Sequence, residues 1–107
     1  MQDDRQGCVA VIFLSTRTGE DPEGYAAAAD AMERLAAEQP GYRGVDGARG
    51  EDGFGVTVSY WADEASALAW RDHPAHAAIR DRGRARWYRS YRTDVARIER
   101  SYAWRRP

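Results

Sequence analysis

Between residues 70 and 80 the chain places an indole, two imidazoles and a guanidinium: Trp70-Arg71-Asp72-His73-Pro74-Ala75-His76, continuing to Arg80. The two histidines are the only ones present. Trp70 and His73 are three apart, and His76 and Arg80 are four apart, so on a helix broken at Pro74 all four side chains can line one cleft. A histidine near its unperturbed pKa of about 6.5 can act as a general base close to neutral pH, so the group reads as a haem or substrate pocket with a base. Trp70 would orient an aromatic ring, and Arg80 would stabilise a developing oxyanion. The same residues also suit a helix cap with exposed ion pairs at the break. His-x-x-His lacks the further ligand that a metal site needs, and the lone Cys8 has neither a disulfide partner nor a histidine or acid at catalytic spacing.

A second group, Arg84-Ala85-Arg86-Trp87-Tyr88-Arg89-Ser90-Tyr91-Arg92, interleaves arginine with aromatics in a way that suits phosphates or stacked bases. Nucleic acid is not expected to be the partner. The formal net charge is -1. Gly53-Phe54-Gly55-Val56 echoes the third-strand motif of RNA-recognition domains, but Val56 and Ser59 stand where stacking aromatics are required. Glycines 47, 50, 53 and 55 flank a hairpin and do not open a helix, so they are not a dinucleotide fingerprint.

These groups must be held by local elements. Val9-Ala10-Val11-Ile12-Phe13-Leu14 is apolar on both alternating faces and predicts a strand covered on both sides. Residues 23 to 39 carry Tyr25, Ala28, Ala29, Met32, Leu35 and Ala36 at helical spacing, and Pro40-Gly41 ends that helix. Two strands, 42–50 and 54–62, flank the turn Glu51-Asp52-Gly53. On the second, Phe54, Val56, Val58 and Tyr60 share one face, and Gly55, Thr57, Ser59 and Trp61 the smaller, more polar one. The predicted substrate pocket lies over Thr57, Ser59 and Trp61, under the helix that carries Trp70, His73, His76 and Arg80. Asp63 caps that helix, Pro74 breaks it, and a last strand spans about Arg89 to Tyr102, with a β-bulge expected between Val95 and Ile98. The fold class is α+β, a ferredoxin-like β-α-β-β-α-β subunit with an antiparallel sheet.

One domain, 8–107, follows a polar, flexible N-terminal segment, 1–7; the total of 107 residues suits a single core. The longest apolar run is far short of the roughly 18 residues of a membrane span, and with the single cysteine this predicts a cytoplasmic protein without membrane contact. All 16 basic residues are arginine. Residues 1 to 64 carry a net of -8 and residues 65 to 107 a net of +7, so Arg84, Arg86, Arg89, Arg92 and Arg97 are expected to meet acids of the N-terminal half, within the subunit or across a dimer. A doubly apolar first strand with one helical layer implies a homodimer through the free sheet face.

Val11 to Arg17, Gln39-Pro40-Gly41-Tyr42-Arg43-Gly44-Val45, Val58-Ser59-Tyr60-Trp61 and Ala69-Trp70-Arg71-Asp72-His73-Pro74-Ala75-His76 together resemble the antibiotic biosynthesis monooxygenase family. The likeness spans residues 8 to 102. It implies a dimeric α+β barrel and carries the family tryptophan to Trp70. Members include cofactor-independent monooxygenases acting on polycyclic phenols, haem degraders and proteins with no known reaction. The haem degraders pair the tryptophan with a first-strand asparagine and a histidine ten residues on; here the chain has no asparagine and that later position is Arg80. The resulting expectation is an oxygenase acting on a small aromatic ligand without cofactor or metal, with a haem-binding protein and a non-catalytic ligand-binding dimer as alternatives.

Overall fold

The computed structural model describes residues 4–107. The chain runs β1 (Val9–Arg17), α1 (Pro22–Ala37), β2 (Tyr42–Arg49), β3 (Phe54–Trp61), α2 (Glu64–Arg71), α3 (Pro74–Arg82), a single π-helical turn (Gly83–Trp87) and β4 (Tyr88–Arg97). The four strands form one antiparallel sheet in the order β2-β3-β1-β4, the ferredoxin-like arrangement expected from the sequence.

Register makes the two faces of the sheet explicit. Rows across it read Tyr42–Trp61–Val9–Arg97, Val45–Ser59–Val11–Val95, Gly47–Thr57–Phe13–Thr93 and Arg49–Gly55–Ser15–Tyr91. The helices cover this face, packing Ala36 and Ala67 against Val9 and Trp61, with Val11, Tyr42 and Trp70 around them. Glycine and small polar residues on β3 therefore face the helices, as their size allows.

The opposite face carries Ala10, Ile12 and Leu14 of β1 beside Val56, Val58 and Tyr60 of β3. Among the described residues no helix lies over it. Its margins are polar, with Asp46 on β2 and the Arg92–Asp94 pair on β4. Arg5 lies 3.9 Å from the Tyr60 ring centroid and pairs with Asp46 at 3.1 Å, and the Gly7 N–H reaches the Ile98 carbonyl, so this part of the N-terminal segment is tied to the sheet.

The expected bulge between Val95 and Ile98 does not form. β4 stays in register with β1 from Ser90 to Arg97, and the Ile98 N–H still reaches the Cys8 carbonyl at 2.9 Å. Val95 faces the helices and Ile98 the open side, so their spacing requires no extra residue. The shift lies at the other end, where Arg89 is inserted opposite Thr16 and Arg17. The strand also stops at Arg97, short of the expected Tyr102, and Tyr102 and Trp104 beyond it are exposed.

Asp21 ties the start of α1 to the last element. It adopts φ 49°, a left-handed conformation that aspartate tolerates. Its Oδ1 accepts the Gly24 N–H at 3.1 Å and its Oδ2 the Trp87 indole N–H at 3.2 Å. A Cβ at Gly24 would lie 2.0 Å from Oδ2, so only glycine leaves room for this cap. The Trp87 bond, then the Gly24 bond, hold the Asp21 carboxyl below its usual pKa. A depressed carboxylate stabilises the fold fully above the unfolded value of about 3.9, and that contribution disappears as pH falls through the folded value. Asp21→Asn should therefore be less stable than the parent protein at pH 7, with the gap closing on acidification. Urea midpoints measured across that range check it, and a gap independent of pH would count against it.

Candidate functional site

Pro74 interrupts the second helical stretch as the sequence suggested, and the break itself positions the histidines. The Asp72 backbone closes α2, and His73 starts α3 by accepting the Ala75 N–H on Nδ1 at 3.1 Å, with Pro74 in the first turn, where its missing N–H costs nothing. One turn on, the His76 ring lies back over Trp70.

The result is a stack of three rings. Trp61 and Trp70 are parallel within 24° at 6.1 Å, and Trp70 and His76 within 17° at 4.8 Å; His73 tilts against Trp70 at 5.7 Å. Trp61 is completely buried and donates its indole N–H to Ser59 Oγ at 3.0 Å. The hollow expected over Ser59 and Trp61 is thus filled by Trp61 itself, because the indole folds back onto the small residue beside it. Thr57 is exposed, and it lines a separate cavity of about 480 Å³ with Tyr25, Glu33, Val45, Gly47, Ala48 and Arg49.

Trp70, His73 and His76 are thus brought together, with Trp61 behind them. Arg80 is half-buried and donates to the Arg71 carbonyl at 3.4 Å, closing the break between α2 and α3. Beside Val11 on the same sheet face, Val95 is 58% exposed, so the helices leave the β4 side of the floor open.

His76 is the unusual member. Its Nδ1 is buried and has no hydrogen-bond partner. Burial holds its pKa below the ordinary histidine value, against an opposing pull from the Arg71 and Trp70 carbonyls, and nearby Arg80 reinforces the depression. The ring is therefore neutral at neutral pH, and its Nδ1 has no hydrogen-bond partner among the described residues.

Haem fits these residues poorly, because His73 spends Nδ1 on the α3 cap and the His76 ring is stacked face-on against Trp70 with its Nδ1 buried. Among the described residues no cluster of three His, Cys, Asp or Glu side chains could hold a metal ion, and no helix is long and apolar enough to cross a membrane.

Residues 8–82 match the model of the antibiotic biosynthesis monooxygenase family. The chain belongs to that family. It is 45% identical over 91 residues to the uncharacterized protein YqjZ of Bacillus subtilis, an alignment covering 85% of this chain and 79% of that one. Among solved structures it resembles SnoaB, a cofactor-independent oxygenase from Streptomyces nogalater (TM-score 0.71, 16% identity, 94% and 96% of the two chains covered). It also resembles an antibiotic biosynthesis monooxygenase homologue from Nitrosomonas europaea (TM-score 0.75, 12% identity, 86% and 90% covered). At such identities the structural likeness is one of fold, and the sequence match carries the family.

Of the arginines expected to meet N-terminal acids, Arg86 does so, at 3.5 Å from Asp21 and 3.7 Å from Glu20. Arg92 pairs with Asp94 on its own strand, Arg84 donates to the Tyr91 hydroxyl, and Arg97 to the Gly7 carbonyl. Sequence reasoning passed over Arg17, Tyr25 and Arg49, which the fold brings together. Arg49 donates to Ser15 Oγ at 2.8 Å and to the Tyr25 hydroxyl at 3.2 Å, and Arg17 lies 3.6 Å from the Tyr25 ring centroid. The available signal was the hairpin register, which sets Arg49 opposite Gly55, a residue with no side chain to block it.

Proposed function

We propose that this protein is a cofactor-independent oxygenase of small or polycyclic phenols, working as a homodimer assembled through the open sheet face. The observation that carries the reading is the unsatisfied, neutral His76 nitrogen held against Trp70. Family membership and the likeness to an oxygenase of this kind support it. The substrate would enter from the open β4 side, over Val95, and stack on the aromatic wall. Binding would displace the side chains that cover His76 Nδ1 in the free subunit, His76 would take the phenolic proton, and the carbanion form of the phenolate would give an electron pair to O2, making a C–O bond. The resulting peroxide would lose water across its O–O bond, leaving a quinone and one water per O2 consumed. Arg80, beside the histidine, would stabilise the oxyanion.

The base must be neutral to act, and burial lowers its pKa, so the acid limb of the rate profile should have its midpoint below the ordinary histidine value of about 6.5. His76→Gln should lower kcat by roughly 10²- to 10⁴-fold and remove that limb. Oxygen uptake with a panel of hydroxylated naphthalenes and anthracenes measures both. Uptake unchanged in the variant would overturn the role of His76, and no uptake across the panel would overturn the oxygenase reading.

A further inference from the structure

At the far end of β1 from Trp61, about 25 Å away at roughly 3.3 Å per residue, a cavity of about 360 Å³ is lined by Arg17, Arg49 and Arg89 with Thr18, Gly19 and Pro22. We propose that it binds a small oxyanion, a phosphate monoester or a dicarboxylate, at a site separate from the Trp70–His76 centre. The argument rests on what the three guanidiniums lack. Each acceptor that Arg49 meets is neutral: the Ser15 carbonyl and hydroxyl, the Tyr25 hydroxyl and the Gly53 carbonyl. Arg17 likewise donates only to the carbonyls of Trp87 and Glu20. Arg89 has no hydrogen bond or ion pair among the described residues; it is the residue that the β4 irregularity inserts.

Two of these cations share one aromatic ring, with Arg17 at 3.6 Å and Arg49 at 5.6 Å from the Tyr25 centroid. Half-buried like charges with no carboxylate between them repel, and an oxyanion supplies the negative charge that their neutral acceptors do not. The arrangement is also built in. Ser15, 2% exposed, anchors Arg49 from below, and a Cβ on Gly55 would lie 2.6 Å from the Arg49 Cζ, so the guanidinium is seated where only glycine permits it. Two acids stand on the rim, Glu51 and Asp52. Neither pairs with the arginines, and Asp52 Oδ1 accepts the Phe54 N–H instead. Three positive charges against two leave the cavity net cationic.

Titration calorimetry of the intact protein at low ionic strength tests this, with inorganic phosphate in one arm, malonate in the other, and sodium chloride at matched ionic strength as reference. Saturable single-site binding of either oxyanion is expected, weakened at least tenfold in Arg89→Gln and in Arg17→Gln. The Arg89 side chain is exposed and makes no bond among the described residues, so its variant should fold as the parent does. Binding of phosphate alone assigns the site to phosphate esters, and binding of malonate alone to dicarboxylates. No binding of either beyond the chloride reference, or equal affinity in Arg89→Gln, would overturn the proposal. Oxygen uptake plays no part in this readout, so the site stands or falls independently of the oxygenase reading.

Discussion

Trp61→Ala is expected to cost about 3 to 5 kcal/mol, the range for deleting a large aromatic from a packed interior. That is a large share of the roughly 5 to 15 kcal/mol by which a domain of this size is stable. Trp61 is completely buried, meets Tyr42 edge-on at 5.7 Å and Trp70 face-on at 6.1 Å, and packs on Val9. The cavity it would leave cannot collapse easily, because the sheet backbone lies on one side and helices on the other. Trp61→Phe keeps most of the packing and loses the N–H bond to Ser59, so a milder loss of about 1 to 2 kcal/mol is expected. Urea denaturation at constant slope separates the two variants, and a loss below about 1 kcal/mol for the alanine variant would contradict the packing argument. Because Trp61 backs Trp70, which in turn carries His76, the phenylalanine variant should also shift the acid limb of the rate profile.

Leu14→Arg is expected to convert a dimer into a folded monomer. Leu14 sits opposite Val56 on the uncovered sheet face, in the apolar patch it forms with Ile12 and Val58, beside the rim residue Arg92; Asp46 and Asp94 continue that rim. An apolar centre with a polar rim is the anatomy of a protein interface. Burying one leucine contributes about 1.5 to 3 kcal/mol, and a symmetric interface counts every residue twice. An arginine there forfeits both contributions and adds the desolvation of two guanidiniums, so the dissociation constant should rise by at least about a hundredfold, taking each 1.4 kcal/mol as tenfold. Sedimentation of the parent protein and the variant at micromolar concentration measures this, with far-UV circular dichroism showing that the variant stays folded. A parent protein that sediments as a monomer would remove the dimer from the proposal.

What the sequence made legible was local. The double apolarity of residues 9 to 14 is visible without coordinates, and in the fold Val9, Val11 and Phe13 do face the helices while Ala10, Ile12 and Leu14 face away. The break at Pro74 and the cap at Asp63 involve residues within a few positions of one another, where backbone chemistry decides. The expected bulge failed because apolar spacing was taken to mean a shared face. A strand whose two sides are both partly apolar, with Val95 toward the helices and Ile98 away, gives the same spacing without an irregularity.

Residue types and spacing by themselves determined the α+β order of elements and the two-faced sheet, since those depend on backbone propensity and alternation, and they offered the meeting of Trp70 with both histidines as one of two readings of the broken helix. Only the tertiary structure decided that Trp61 fills the hollow expected above it, that the His76 nitrogen is left without a partner, and that Arg17, Arg49 and Arg89 line one cavity. The physical reason is the same in each case. Burial, desolvation and uncompensated charge depend on what segments far apart in the chain bring to one point: Arg17 and Arg89 meet through β1–β4 pairing, and Arg49 reaches them across Gly55.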